Sequence, residues 1–154
     1  MRNRSGTVRR LSAAGSLSAA AIMLVSNSAG GSTVTVTATN LRSDEGVVRA
    51  CMTTNPKRFP KCRGDANSYS AVVPAGTTVT FRFKNVKPGR YAIAMLHDEN
   101  DNGKADRALM MMPKEGYGFS RDAKVRMGPP KFKAAAFDVG TADQAQTIKM
   151  RYML

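Results

Sequence analysis

Thr33-Val34-Thr35-Val36-Thr37-Ala38-Thr39 alternates without a break, with Val34, Val36 and Ala38 on one face and the threonines on the other. A period of two puts successive side chains on opposite sides of a pleated strand, so this stretch reads as a strand with one buried face. The period recurs downstream. Thr77 to Phe83 sets Val79, Phe81 and Phe83 against Thr78, Thr80 and Arg82. The C-terminus sets Ile148, Met150, Tyr152 and Leu154 against Thr147, Lys149 and Arg151. Arg90 to Leu96 differs: Tyr91, Ile93 and Met95 face one way and Ala92, Ala94 and Leu96 the other, as in a central strand buried on both sides. Val47 to Met52 and Lys133 to Val139 supply two further strands. Pro74-Ala75-Gly76, Lys87-Pro88-Gly89 and Asn102-Gly103 fall between the runs with the residues turns require. No sustained helical period exists outside the N-terminus, so the pattern predicts an all-β sandwich of two antiparallel sheets. The segment from Asp98 to Lys131 is longer than structureless connections usually are, which marks it as functional or specially stabilised.

The N-terminus has another character. Arg2, Arg4, Arg9 and Arg10 precede an apolar and small-residue stretch from Leu11 to Val25, then Ser26-Asn27-Ser28-Ala29-Gly30-Gly31. That order matches a secretory signal peptide, so residues 1–29 are expected to be removed and residues 30–154 to form one domain. The apolar stretch is too short and too rich in small polar residues for a membrane span, and no span is expected after cleavage. Arg9-Arg10 lacks the large apolar pair of a twin-arginine signal, which favours general secretion to the periplasm or beyond.

The chain holds 24 Lys plus Arg against 11 Asp plus Glu; without the four N-terminal arginines the balance is 20 against 11, a net of +9. Such a charge draws anionic envelope polymers or lipid headgroups over long range. Lys57, Arg58, Lys61 and Arg63 form one group, and Lys124, Arg126, Lys131 and Lys133 a looser second one. Neither is interleaved with several aromatics, so specific nucleic-acid stacking is not expected. Cys51 and Cys62 enclose a loop with two prolines, and an even count in an oxidising compartment predicts a structural disulfide. They have no ligand partners for zinc and are too far apart for a redox-active pair.

Chemistry, if any, concentrates between His97 and Ser120. On the pattern of a calcium loop, Asp98, Asn100 and Asn102 take the first, third and fifth positions and Gly103 the sixth, where the chain turns. Lys104 then offers a backbone carbonyl and Asp106 takes the ninth position, but Leu109 stands where a bidentate Glu is required. Glu115 would have to reach back from the next loop, or Asp101 to contribute. Calcium is therefore a tentative cofactor, and the other reading is an Asx-rich hairpin whose side chains cap their own backbone. His97, the only histidine, lies within reach of Asp98 and Glu115, with Ser120 as a nearby hydroxyl, which permits a hydrolase reading. A lone His ending a buried strand is more often a satisfied structural group. Tyr117 and Phe119, with Met110 to Met112, are expected to plug the open end of the core, the alternative being an apolar lid.

The run Gly89-Arg90-Tyr91-Ala92-Ile93, His97-Asp98-Glu99-Asn100, Asn102-Gly103, Asp106, Pro113, Glu115-Gly116-Tyr117-Gly118-Phe119-Ser120 and Gly128-Pro129-Pro130 resembles domain of unknown function 2141. The resemblance covers the chain from about Val34 to Tyr152 and departs from the usual pattern at Asp101, at Ala105 and at Leu109 to Met112. It implies an exported bacterial protein, and brings no established activity. The family's look is similar to prealbumin-like and carboxypeptidase-regulatory sandwiches. The expected fold is thus an antiparallel β-sandwich of about seven strands, prealbumin-like or Ig-like, with one long loop. The leading functional expectation is a non-catalytic exported module, binding or structural, with a loop held by its Asn/Asp network; calcium is an optional addition to it. The alternatives are an electrostatic binder of anionic envelope components and a hydrolase using His97 and Glu115.

Overall fold

A computed structural model describes residues 30–106 and 113–153. The expected signal peptide, Leu109 and the Met110 to Met112 run lie outside the described residues. Eight strands carry the described chain: β1 (Ser32–Thr39), β2 (Val47–Thr53), β3 (Tyr69–Pro74), β4 (Thr78–Val86), β5 (Gly89–Asp98), β6 (Gly116–Phe119), β7 (Phe137–Val139) and β8 (Gln144–Lys149). A 3-10 turn at Ser120–Asp122 and a one-turn helix, α1 (Phe132–Ala135), are the only helical pieces described. No helix among the described residues is long and apolar enough to cross a membrane.

The strands form two sheets, a three-stranded one in the order β4-β1-β8 and a larger one in the order β3-β2-β5-β6, with β7 also paired to β5. Their facing sides share one apolar cluster. Val34, Val36, Ala38, Phe81, Phe83 and Ile148 come from the smaller sheet, and Val48, Ala50, Met52, Tyr91, Ile93 and Met95 from the larger. The alternation in β1 buries Val34, Val36 and Ala38 completely. The reading of β5 as buried on both faces also holds. Ala92 and Ala94 look outward into a second cluster with Cys51, Cys62, Phe59, Phe119, Ala123 and Ala135. The Cys51–Cys62 disulfide, with Cα atoms 5.7 Å apart, ties the covering loop to that outer face.

Three expectations need correction. The sheets are not wholly antiparallel: β1 pairs antiparallel with β4 but parallel with β8, Val36 opposite Gln146 and Ala38 opposite Ile148. The last strand runs Gln144–Lys149 rather than from Thr147 to the end, although Ile148 and Met150 do face inward. Lys133 to Val139 is not one strand, because α1 occupies its first part and β7 only Phe137–Val139. The Ala134-Ala135 pair favours a helical turn there over a pleat.

Beyond β8 the chain crosses to the other sheet, where Tyr117 and Arg151 exchange both backbone hydrogen bonds at 2.9 Å. The two sheets are thus stitched along one edge, beside the end of β5.

Candidate functional site

β5 ends on two residues that diverge, His97 toward the space between the sheets and Asp98 toward the outer side, as strand alternation requires. Both are fully buried. His97 Nδ1 lies 2.7 Å from the Tyr152 hydroxyl and Nε2 lies 2.9 Å from the Glu45 carbonyl. A carbonyl can only accept, so Nε2 donates to Glu45, and Nδ1 pairs with the Tyr152 hydroxyl. His97 is a satisfied buried histidine.

Asp98 Oδ2 accepts from Arg49 Nε at 2.6 Å and from the Gly103 amide at 2.8 Å, while Oδ1 accepts from the Asn102 amide at 3.0 Å. Arg49 stands on β2 opposite Leu96, two residues from Asp98 on the same face, so its guanidinium reaches diagonally to Asp98 and also bonds Asp101. Burial pushes the Asp98 carboxyl up. Arg49 and the two amides more than offset this and hold it below the usual aspartate range.

The loop is built on its own side chains. Asn100 Oδ1 accepts from the Asn102 amide at 3.2 Å and Asn102 Oδ1 from the Lys104 amide at 2.8 Å. The side-chain amides of Asn100 and Asn102 both donate to Asp106 Oδ2, at 2.8 and 2.9 Å. Gly103 sits at φ 77°, the left-handed region where a Cβ is costly, and its carbonyl accepts from Arg63 at 3.0 Å.

Glu115 closes the constellation. Gly116 pairs with His97, so one step further along the register Glu115 faces Asp98 on the outer side. Its Oε2 accepts from the Asp106 amide at 3.0 Å, whereas Oε1 is buried without a hydrogen-bond partner. Burial, reinforced by the charges of Asp98 and Asp106 and resisted by the backbone amides of Asp106 and Glu99, raises the Glu115 carboxyl above its ordinary range. Like charges across a strand pair repel; Arg49 compensates Asp98, and Glu115 is left short.

The glycines of Gly116-Tyr117-Gly118-Phe119 face the other sheet. A Cβ on Gly116 would stand 2.4 Å from the Tyr152 ring, and one on Gly118 2.9 Å from both Ile148 and Met150. That close passage explains the alternating glycines. Tyr117 and Phe119 therefore point to the outer face, where Phe59 meets Phe119 edge-on at 5.8 Å. The Tyr117 and Phe119 side chains neither plug the open end of the inner core nor cover it as a lid, which corrects both alternatives for them; Met110 to Met112 lie outside the described residues.

Asp98, Asn100, Asn102, Asp106 and Glu115 are thus brought together, while the Lys104 side chain is exposed. Among the described residues no three His, Cys, Asp or Glu side chains converge closely enough to hold a metal ion by themselves. The hydrolase constellation is dispersed. His97 and Glu115 lie on opposite faces of the sheet. Ser120 Oγ donates to the Ala135 carbonyl at 2.6 Å and accepts from the Ile93 amide at 2.9 Å, four residues or roughly 13 Å along β5 from His97. Sequence reasoning missed Arg49 and Tyr152. It also missed Arg42, which pairs with Glu99 at 2.5 Å and lies 4.7 Å over the Tyr152 ring.

Residues 36–148 match a family described as "Uncharacterized protein conserved in bacteria (DUF2141)". No curated protein and no solved structure matches the chain.

Proposed function

The chain belongs to the DUF2141 family, and from that premise we propose a non-catalytic exported β-sandwich module whose loop over residues 97–106 is a rigid recognition or structural element. One observation carries the reading: His97, Asp98 and Ser120, the groups a catalytic set would draw on beside Glu115, are spent on the fold. His97 is bonded at both nitrogens, Asp98 is held by Arg49 and two amides, and Ser120 is bonded to backbone on both sides. A general base must reach a substrate proton, and a nucleophile must have its base within hydrogen-bond distance. Neither condition is met by these groups. Export is supported by the basic, apolar and small-residue order of residues 1–29 and by the Cys51–Cys62 bridge.

Cell fractionation and a panel of chromogenic ester, peptide and glycoside substrates test the two halves. The expected result is an oxidised protein in the exported fraction with no turnover. Retention in the cytosol, or turnover abolished by His97→Gln or Glu115→Gln, would sink it.

A second reading adds calcium, and the unpartnered, buried Glu115 Oε1 favours it. Glu115, Asp106 and Asp98 would supply carboxylate oxygens, with Asn100, Asn102 and the Lys104 carbonyl completing an oxygen set of the kind a hard cation takes. Arg49 competes for the same charge. Melting in calcium and in chelator decides: a rise in Tm with calcium that Glu115→Gln removes supports the cation, and an unchanged midpoint eliminates it.

A further inference from the structure

The two basic groups, about 60 residues apart in sequence, are joined by the fold. Pro56, Phe59 and Pro60 from the disulfide loop line one groove with Pro130, Lys131 and Phe132. Lys124, Arg126, Met127, Pro129 and Lys133 line an open cleft that shares Pro129, Pro130 and Lys131 with it. Lys57, Arg58 and Lys61 are exposed on the loop, and Lys124, Arg126, Lys131 and Lys133 on the facing segment. Among the described residues only Arg58 of these seven has an ion-pair partner, Asp65 at 3.9 Å. At the tip of the facing segment Met127 is fully exposed, at 105%.

We propose that this face docks on an anionic phospholipid surface, the cations meeting headgroup phosphates while Met127 enters the acyl boundary. Charge complementarity selects an anionic partner, and each Lys or Arg near such a surface strengthens binding about fivefold at moderate salt. An exposed apolar side chain within a basic cluster selects the bilayer over a hydrated polyanion, because only the bilayer offers an apolar layer beneath the phosphates. The prolines and the disulfide hold the platform in shape, so little ordering is lost on contact. This surface is separate from the carboxylate loop and stands whether or not that loop takes calcium.

The chain has no tryptophan, so Met127→Trp in the full chain gives a single reporter at the tip. A blue shift is expected on vesicles of phosphatidylglycerol mixed with phosphatidylcholine, with none on phosphatidylcholine alone and a sharp loss at raised salt. In the Met127→Trp background, Lys124→Gln, Arg126→Gln, Lys131→Gln and Lys133→Gln together should weaken the transition by two orders of magnitude or more. Removing equal charge elsewhere, by Arg82→Gln, Lys84→Gln, Lys87→Gln and Lys149→Gln, should weaken it much less. No shift on anionic vesicles overturns the proposal. Equal loss in the control set reduces it to net charge and overturns it, and an equal shift with soluble polyphosphate assigns the face to a polymer instead.

Discussion

Arg49 supplies the positive charge that meets the buried Asp98 and its neighbour Asp101. It was invisible in the sequence because 49 residues separate it from Asp98, and nothing in Val47 to Met52 says which outward residue meets an acid. The oxygen-bearing positions themselves were legible, since Asx residues around an Asn-Gly turn have few other uses. Asp98 is fully buried, so Arg49→Met should leave an uncompensated carboxylate and lower the urea midpoint. Asp98→Asn added to Arg49→Met should recover part of that loss. Glu115 predicts a pH dependence of opposite sign to that of Asp98. Its carboxyl is raised, so the folded state keeps a proton the unfolded chain releases, and stability falls as pH climbs from the ordinary glutamate range through the raised value. The Asp98 carboxyl is lowered, so its contribution is present above the ordinary aspartate range and is lost as pH falls below it. Denaturant midpoints taken across acidic to neutral pH should therefore peak under mildly acidic conditions. In chelator Glu115→Gln should abolish the decline toward neutral pH, leaving the variant at least as stable as the parent there. A variant less stable at neutral pH would mean that the ionised carboxylate is needed.

Strands with a strict alternation were legible, and elements with mixed signals were not. β6 has two glycines in four residues, which weakens any strand signal, and its glycines are explained only by the residues of the other sheet that lie against them. β3 is an edge strand, half-buried on one side and exposed on the other, so it carries little contrast. The disulfide was legible from compartment logic, but its role was not: Cys51 and Cys62 belong to the outer cluster that covers β5. Closing an 11-residue separation restricts the unfolded chain by roughly 2–3 kcal/mol in the entropy model. Cys51→Ala with Cys62→Ala should lose at least that in thermal or urea unfolding. It should also raise hydrogen exchange in the loop bearing Phe59 while β1 stays protected. Uniform loss of protection would mean that the outer cluster and inner core unfold as one unit.

At the scale of the molecule the sequence indicated two sheets but not that its first and last strands are neighbours. Alternation is the same for parallel and antiparallel strands, so the β1–β8 pairing left no mark. Its consequence is that the smaller sheet forms only when Gln144–Lys149 returns to Ser32–Thr39, a contact with high loop-closure cost. The residues past β8 then stitch that sheet to β6 and place Tyr152 over Gly116 and against His97. Two truncations separate these contributions. Ending the chain at Asp143 removes Ile148 and Met150, both fully buried, and leaves β1 unpaired on one edge. That chain should show no cooperative melt. Ending it at Arg151 keeps β8 and the Tyr117–Arg151 bridge but takes away the hydroxyl that His97 Nδ1 uses. An unpaired buried imidazole nitrogen costs about 1–3 kcal/mol, so a cooperative transition should survive with Tm lowered on the order of 5–10 °C. Tyr152→Phe in the full-length chain removes the hydroxyl alone and should reproduce that part of the loss; a variant as stable as the parent would place the role of Tyr152 in its packing against Gly116 rather than in its bond to His97.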